Sequence, residues 1–119
     1  MKTSNRECST YVNKCEPFNA NNIFAENVFA ENVFDDEVLY RPNLYVVYSY
    51  GVHFPMYIYD YGLKVWVGNS DRYSMTTSKH MSQARPRFEV EQWLTTDDMR
   101  SLIANNGVVN YTIKKAGAL

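Results

Sequence analysis

The sequence predicts an α+β domain: an antiparallel β-sheet meander with one helix packed on a face, preceded by an N-terminal arm that is helical or irregular. Three observations predict it. Three short β-rich runs with glycine-containing connections follow one another between Leu44 and Gly68. A capped amphipathic segment starts at Thr95. Ten tyrosines in 119 residues, within a 45% hydrophobic composition, supply a core and suit half-buried sheets and contact surfaces alike. The length fits one domain.

Residues 1–42 read as an acidic arm and 43–119 as the single small domain. In the arm, Ala25-Glu26-Asn27-Val28-Phe29 is repeated unchanged as Ala30-Glu31-Asn32-Val33-Phe34, after a truncated copy at Asn22-Ile23-Phe24. A five-residue step turns a helix by about 500° and swaps faces along a strand, so it keeps no single apolar face in either. A pentapeptide solenoid would need a small residue where Asn or Glu stands here, and more copies to stack. A tandem duplication within a helical or irregular arm is the expectation, with Phe24, Phe29 and Phe34 packing it onto the domain or presenting an acidic, aromatic motif to a partner.

Pro42 pushes Arg41 into extended backbone and marks a break. Leu44 to Tyr50 carries the clearest strand signal, with Val46, Tyr48 and Tyr50 on one face and Tyr45, Val47 and Ser49 on the other. Gly51-Val52-His53-Phe54-Pro55 leads to a second strand over Met56–Asp60, and Tyr61-Gly62 to a third over Leu63–Gly68. Tyr73–Thr77 is expected as a polar-edged fourth strand and Phe88–Glu91 as a fifth. Thr95-Thr96-Asp97-Asp98 caps a helix whose Met99, Leu102 and Ile103 share a face. Asn105-Asn106-Gly107 ends it, before a last strand over Val108–Ile113 and a basic tail.

The formal charge of −1 hides an asymmetry. Glu16, Glu26, Glu31, Asp35, Asp36 and Glu37 face a single Arg41, whereas Arg72, Lys79, Arg85 and Arg87 crowd a hydroxyl-rich segment without a further acid. Two solvated patches, or two regions that neutralise each other in the fold, are the plain readings. The functional reading makes both available to charged partners. Candidate partner-binding residues are Arg72, Tyr73, Lys79, His80, Gln83, Arg85, Arg87 and His53, with Glu26, Glu31, Asp35, Asp36 and Glu37 as the acidic arm. No stretch approaches the roughly 20 apolar residues of a membrane span, and the N-terminus lacks the apolar run of a signal peptide. The expectation is a cytoplasmic protein with free thiols at Cys8 and Cys15 and no membrane partner. The spacing of those cysteines with His53 and His80 fits no zinc motif, and no cofactor or metal is expected. No serine lies in a glycine-flanked elbow and no glycine-rich loop is present. A His53/His80 phosphodiesterase-like activity is the minor enzymatic alternative.

Tyr48-Ser49-Tyr50, His53-Phe54-Pro55, Trp66, Asn69 and the block from Asp71 to Gln83 (Asp-Arg-Tyr-Ser-Met-Thr-Thr-Ser-Lys-His-Met-Ser-Gln) resemble a family of small uncharacterised bacteriophage-encoded proteins. The similarity spans about residues 44 to 87 and leaves out the duplicated arm and the C-terminal third. It implies an accessory phage protein acting in a bacterial host cytoplasm, and it transfers no catalytic residues. The function expected is non-enzymatic: binding a host protein or nucleoprotein, such as a bacterial defence component, and inhibiting it. The alternative is a nucleic-acid-binding protein using the Arg72–Arg87 segment. A tyrosine-rich sheet edge also makes a homodimer an expectation.

Overall fold

Leu44, Tyr45, Val46, Val47, Tyr48 and Ser49 are all buried, which marks a strand covered on both faces and not a half-solvated one. The computed structural model describes residues 2–34, 37–71 and 74–104, with the backbone alone for 30–34 and 37–42. Its sheet has six strands in the order β1 to β6: β1 (Phe18–Asn19), β2 (Ile23–Phe34), β3 (Glu37–Ser49), β4 (Pro55–Asp60), β5 (Val65–Asn69) and β6 (Val90–Leu94). The first five pair antiparallel as a meander. β6 then joins β5 in parallel, which requires a crossover, and helix α2 (Met75–Ala84) supplies it. A short helix α1 (Cys8–Val12) precedes the sheet and α3 (Thr96–Ala104) follows it. No helix among the described residues is long and apolar enough to cross a membrane.

The alternation read along β3 sorts the core into two clusters. Tyr45 and Val47 lie with Phe18, Ile23, Tyr57 and Trp66 under Cys8 and Val12 of α1 and Met81 and Ala84 of α2. Leu44, Val46 and Tyr48 lie with Ile58, Val67 and Leu94 under Met99 and Leu102 of α3. Fully burying one such large apolar side chain stabilises by about 1.5–3 kcal/mol, so both helical layers are held mainly by β3 and its neighbours. The buried tyrosines keep their hydroxyls satisfied. Tyr45 donates to the Glu16 carbonyl at 2.7 Å, and Tyr57 donates to the Met81 carbonyl at 2.8 Å. The α+β class is as expected. Helices cover both faces where one was expected, and the last strand pairing is parallel.

The duplicated segment differs from its expectation of a helical or irregular arm. Both copies lie in β2, paired with β3 from Ile23↔Ser49 to Phe34↔Glu37, and β3 continues through the expected boundary at 42/43, which is marked by a β-bulge where the register steps from Val28↔Leu44 to Phe29↔Pro42. The odd repeat step explains why periodicity hid this. Within the first copy Ala25 enters one cluster and the half-buried Val28 packs on the other, so a single copy serves both faces. The strand expected at Tyr73–Thr77 is also replaced. Ser74 accepts the Thr77 N–H at 3.0 Å as an N-cap, and a helix begins at Met75. The fifth strand lies slightly later than expected, at β6. The expected helix stands: the Thr95 hydroxyl accepts the Asp98 N–H at 3.2 Å at its start. Asp35, Asp36, Arg72, Tyr73, the C-cap at Asn105–Gly107, the strand at Val108–Ile113 and the basic tail lie outside the described residues.

Asn69 ties three of these elements together. Wholly buried at the end of β5, it donates to the Pro55 carbonyl at 2.8 Å and to the Thr96 hydroxyl at 3.0 Å, and it accepts the Asp71 N–H at 2.8 Å. Asp71 in turn accepts both the backbone N–H and the hydroxyl of Thr96 at 2.8 Å, fixing the start of α3 against the loop after β5. Removing one member leaves buried partners unpaired. Asn69→Ala is expected to lower unfolding free energy by about 2–4 kcal/mol in urea denaturation, more than Ser70→Ala at the exposed neighbouring position.

Candidate interaction site

The hydroxyl-rich segment folds as α2 because one stripe of it is buried. Thr77, His80, Met81 and Ala84 recur at helical spacing and face the sheet, while Met75, Thr76, Lys79 and Ser82 are exposed. Polar residues hold half of that buried stripe, which hid it from the hydrophobic pattern. Lys79, Arg85 and Arg87 are exposed, as contact residues must be. His80 is a correction to the expected contact set. His80 is 4% exposed, its Nδ1 shares a 2.7 Å hydrogen bond with the Ser49 hydroxyl, and Tyr50 covers it with ring centroids 5.2 Å apart. Gln83 is half-buried; its main-chain carbonyl accepts the Cys8 thiol at 3.5 Å, and its side-chain oxygen is enclosed without a partner among the described residues.

At the far end of α2, Arg85 finds a partner that sequence reasoning did not select. Its guanidinium stands 5.7 Å from the centre of the Trp93 ring, and Trp93 is 39% exposed on β6. The indole packs closely over Gly68, its partner in the parallel pairing, which has no side chain. A Cβ there would come within 2.6 Å of the ring. Tyr57 meets the same indole edge-on, with centroids 6.4 Å apart. Arg87 and Phe88 follow, both exposed, and the Arg87 N–H donates to Asn13 at 2.6 Å. Arginine and tryptophan are among the residue types enriched at the energetic centres of protein contacts. The available signal was the single glycine inside an otherwise bulky strand.

The acidic residues occupy a different place. From Phe29 to Phe34 and from Glu37 to Pro42, β2 and β3 pair with each other, and neither β1 nor β4 reaches them in the register of the described residues. This two-stranded ribbon contains Glu31 and Glu37 and flanks Asp35 and Asp36, with Arg41 as its one base. Glu26 lies just inside it, exposed on β2. The twelve steps of β3 from Glu37 to Ser49, beside which His80 sits, span roughly 40 Å at strand rise, close to the 46 Å longest dimension of the molecule. Ten steps, roughly 33 Å, separate Glu37 from Val47, which leads through Tyr57 and Gly68 to the Trp93 row. Both distances exceed the screening length of about 8 Å in physiological salt several-fold. Glu31 and Glu37 therefore lie beyond that range of Lys79 and Arg85 as measured along the strands, whereas Glu26, paired with Val46, belongs to the body of the sheet.

His53 is exposed in the β3–β4 turn beside Tyr50 (62% exposed) and Val52 (57%), and with Ser49, Phe54 and Thr77 it lines a cavity of about 220 Å³. The structure brings both histidines to one end of the sheet, one in solvent and one in the interior. They do not face a common cavity as an acid–base pair would. The cysteines lie elsewhere, at and just after α1, as free thiols that burial pushes up to about 11. No protein-family model, curated protein or solved structure matches this chain.

Burial, then the charge of Lys79, lowers the His80 pKa below its ordinary value. The unfolded chain therefore takes up a proton at higher pH than the fold does. Stability is full above pH ~6.5 and falls as pH drops through that value toward the folded pKa, by at most about 1.4 kcal/mol per pH unit. His80→Gln is expected to remove this component. The difference between wild-type and variant urea stabilities, measured from pH 7.5 to 5, isolates it from other titrating groups.

Proposed function

We propose that this chain is a non-enzymatic accessory protein of bacteriophage type that binds a host protein or nucleoprotein and inhibits it, a bacterial defence component being the kind of target meant. The observation that carries the reading is the two-stranded ribbon of residues 29–34 and 37–42, which extends past the pairing of β1 and β4 and carries Glu31 and Glu37 against Arg41 on either side of the Asp35-Asp36 step. An acidic ribbon held in extended form suits a basic groove of the kind that otherwise takes nucleic acid. The exposed Arg85–Trp93 pair, with Lys79 and Arg87, forms the second contact. The resemblance of residues 44 to 87 to small phage-encoded proteins supports the bacterial setting of the target.

Affinity capture from bacterial lysate tests this with wild type, a ribbon variant (Glu31→Lys/Asp35→Lys/Asp36→Lys/Glu37→Lys) and a basic variant (Arg85→Glu/Arg87→Glu). The ribbon variant is expected to lose the captured host protein by about tenfold or more while keeping the wild-type circular dichroism spectrum. The basic variant is expected to weaken capture less. Identical partner profiles for wild type and the ribbon variant would remove the ribbon from the account. The same proteins titrated with labelled single- and double-stranded oligonucleotides at two salt concentrations examine the nucleic-acid reading. Salt-dependent binding that survives in the ribbon variant and vanishes in the basic variant would replace the proposal with that one.

A further inference from the structure

The repeat in β2 coincides with the part of the strand that joins it to the body. Displaced by five residues, the run Asn22-Ile23-Phe24-Ala25-Glu26-Asn27-Val28-Phe29 meets the same residues again, with Val28 in place of Ile23 as the one difference. That run pairs with β3 from Ile23↔Ser49 to Val28↔Leu44, and the bulge follows at the Val28–Phe29 step. Its contacts are made by residue types that recur in the repeat. The Asn22 carbonyl accepts the Tyr50 N–H at 2.7 Å, Phe24 stacks on Tyr48 with centroids 4.9 Å apart, and the Asn27 side chain accepts the Tyr61 hydroxyl at 2.8 Å. Asn22 is also left-handed, with φ of 65°, which asparagine tolerates better than most residues, and Asn27 is its counterpart.

We infer that β2 has a second register on β3, displaced by five residues, in which the ribbon retracts into the body of the sheet. There Val28 to Val33 take the sites of Ile23 to Val28, and the Val33–Phe34 step takes the bulge. A residue adopts the face of the site it occupies, so an odd displacement turns every side chain over. The repeat then supplies the same side chain at each site. Shorter slips do not: displacement by one or two residues puts Glu26 or Asn27 into the buried Ala25 site, and by three or four puts Glu26 or Asn27 into the buried Ile23 site. The second register loses the ribbon pairs from Ala30↔Arg41 to Phe34↔Glu37, one methylene at the Ile23 site, and the short connection after β1, which lengthens from residues 20–22 to 20–27. A two-stranded ribbon is only marginally stable alone, and loop closure grows slowly with length, so the second register is a minor population of the same fold. The inference does not rest on the proposed function. A partner that grips the extended ribbon selects the first register, and one that needs the ribbon short selects the second.

Disulfide trapping in the full chain reads the register, in a Cys15→Ala background that leaves only the buried Cys8 thiol. Glu26→Cys/Val46→Cys joins a pair of the described register, and its closure also shows that the variant folds. Glu31→Cys/Val46→Cys places two thiols roughly 17 Å apart along the strand in that register and opposite each other in the second. Asn32→Cys/Val46→Cys needs a displacement of six residues and reports fraying alone. Under a mild thiol oxidant, the 31–46 disulfide is expected to form about tenfold or more faster than the 32–46 disulfide. Ala30→Glu, which the second register would bury in the Ala25 site, is expected to slow 31–46 closure by about tenfold or more and to leave 26–46 closure unchanged. Should the Val46→Cys variants fail to fold, relaxation dispersion at the Ile23 and Phe24 amides of the unsubstituted chain, abolished by Ala30→Glu, reads the same exchange. Equal 31–46 and 32–46 rates, or 31–46 closure or dispersion untouched by Ala30→Glu, would overturn the inference.

Discussion

Strand β3 is the constraint on which the rest of the molecule depends. From Leu44 to Ser49 it is buried on both faces, so each residue is committed to one of two helical layers, and a one-residue slip in its pairing would exchange the two cores. The same strand continues backward into the ribbon it forms with β2. The ribbon leaves the body at a β-bulge, where the register steps from Val28↔Leu44 to Phe29↔Pro42, so its direction is set by that bulge together with the core strand.

The second half of the sheet depends on smaller devices that solve local problems. Parallel addition of β6 needs a crossover, and α2 can make it only because a largely polar segment hides its helical stripe behind the Ser74 cap. Asn69, Asp71 and Thr96 then join the end of β5, the loop before α2 and the start of α3 in one satisfied network. Gly68 leaves room for Trp93, and Trp93 gives Arg85 a fixed aromatic surface at the helix exit. Structural economy and surface chemistry meet in that short row.

Much of the fold was legible in the sequence, for physical reasons that also explain what was not. Unbroken β-branched and aromatic runs made the Leu44–Ser49 part of β3, β4 and β5 readable, and the hydroxyl–acid cap made α3 readable. The duplicated segment was not, because an odd repeat step erases period-two alternation just as it erases the helical one; only the pairing with β3 reveals it as a strand. α2 was hidden because Thr77 and His80 occupy core positions that a hydrophobicity pattern scores as polar. Of the expected contact residues, Lys79, Arg85, Arg87 and His53 are exposed, while His80 is inside and Gln83 half-buried. Trp93 as the partner of Arg85 depends on strand register, which residue order along the chain does not disclose.

By strand length, the ribbon that carries Glu31 and Glu37 stands well apart from Lys79 on α2. A spin-label distance measurement tests it most directly, with labels at Asn32 on β2 and Lys79 on α2. A Cys15→Ala background suits the labelling, because Cys8 is fully buried with its thiol pushed up to about 11. Asn32 pairs with Leu39, ten residues along β3 from the Ser49 that contacts His80, so the account predicts a narrow distribution centred at roughly 33 Å or more. A dominant population below about 20 Å, shifting outward as salt is raised, would mean that the ribbon folds back toward Lys79, and would contradict this separation.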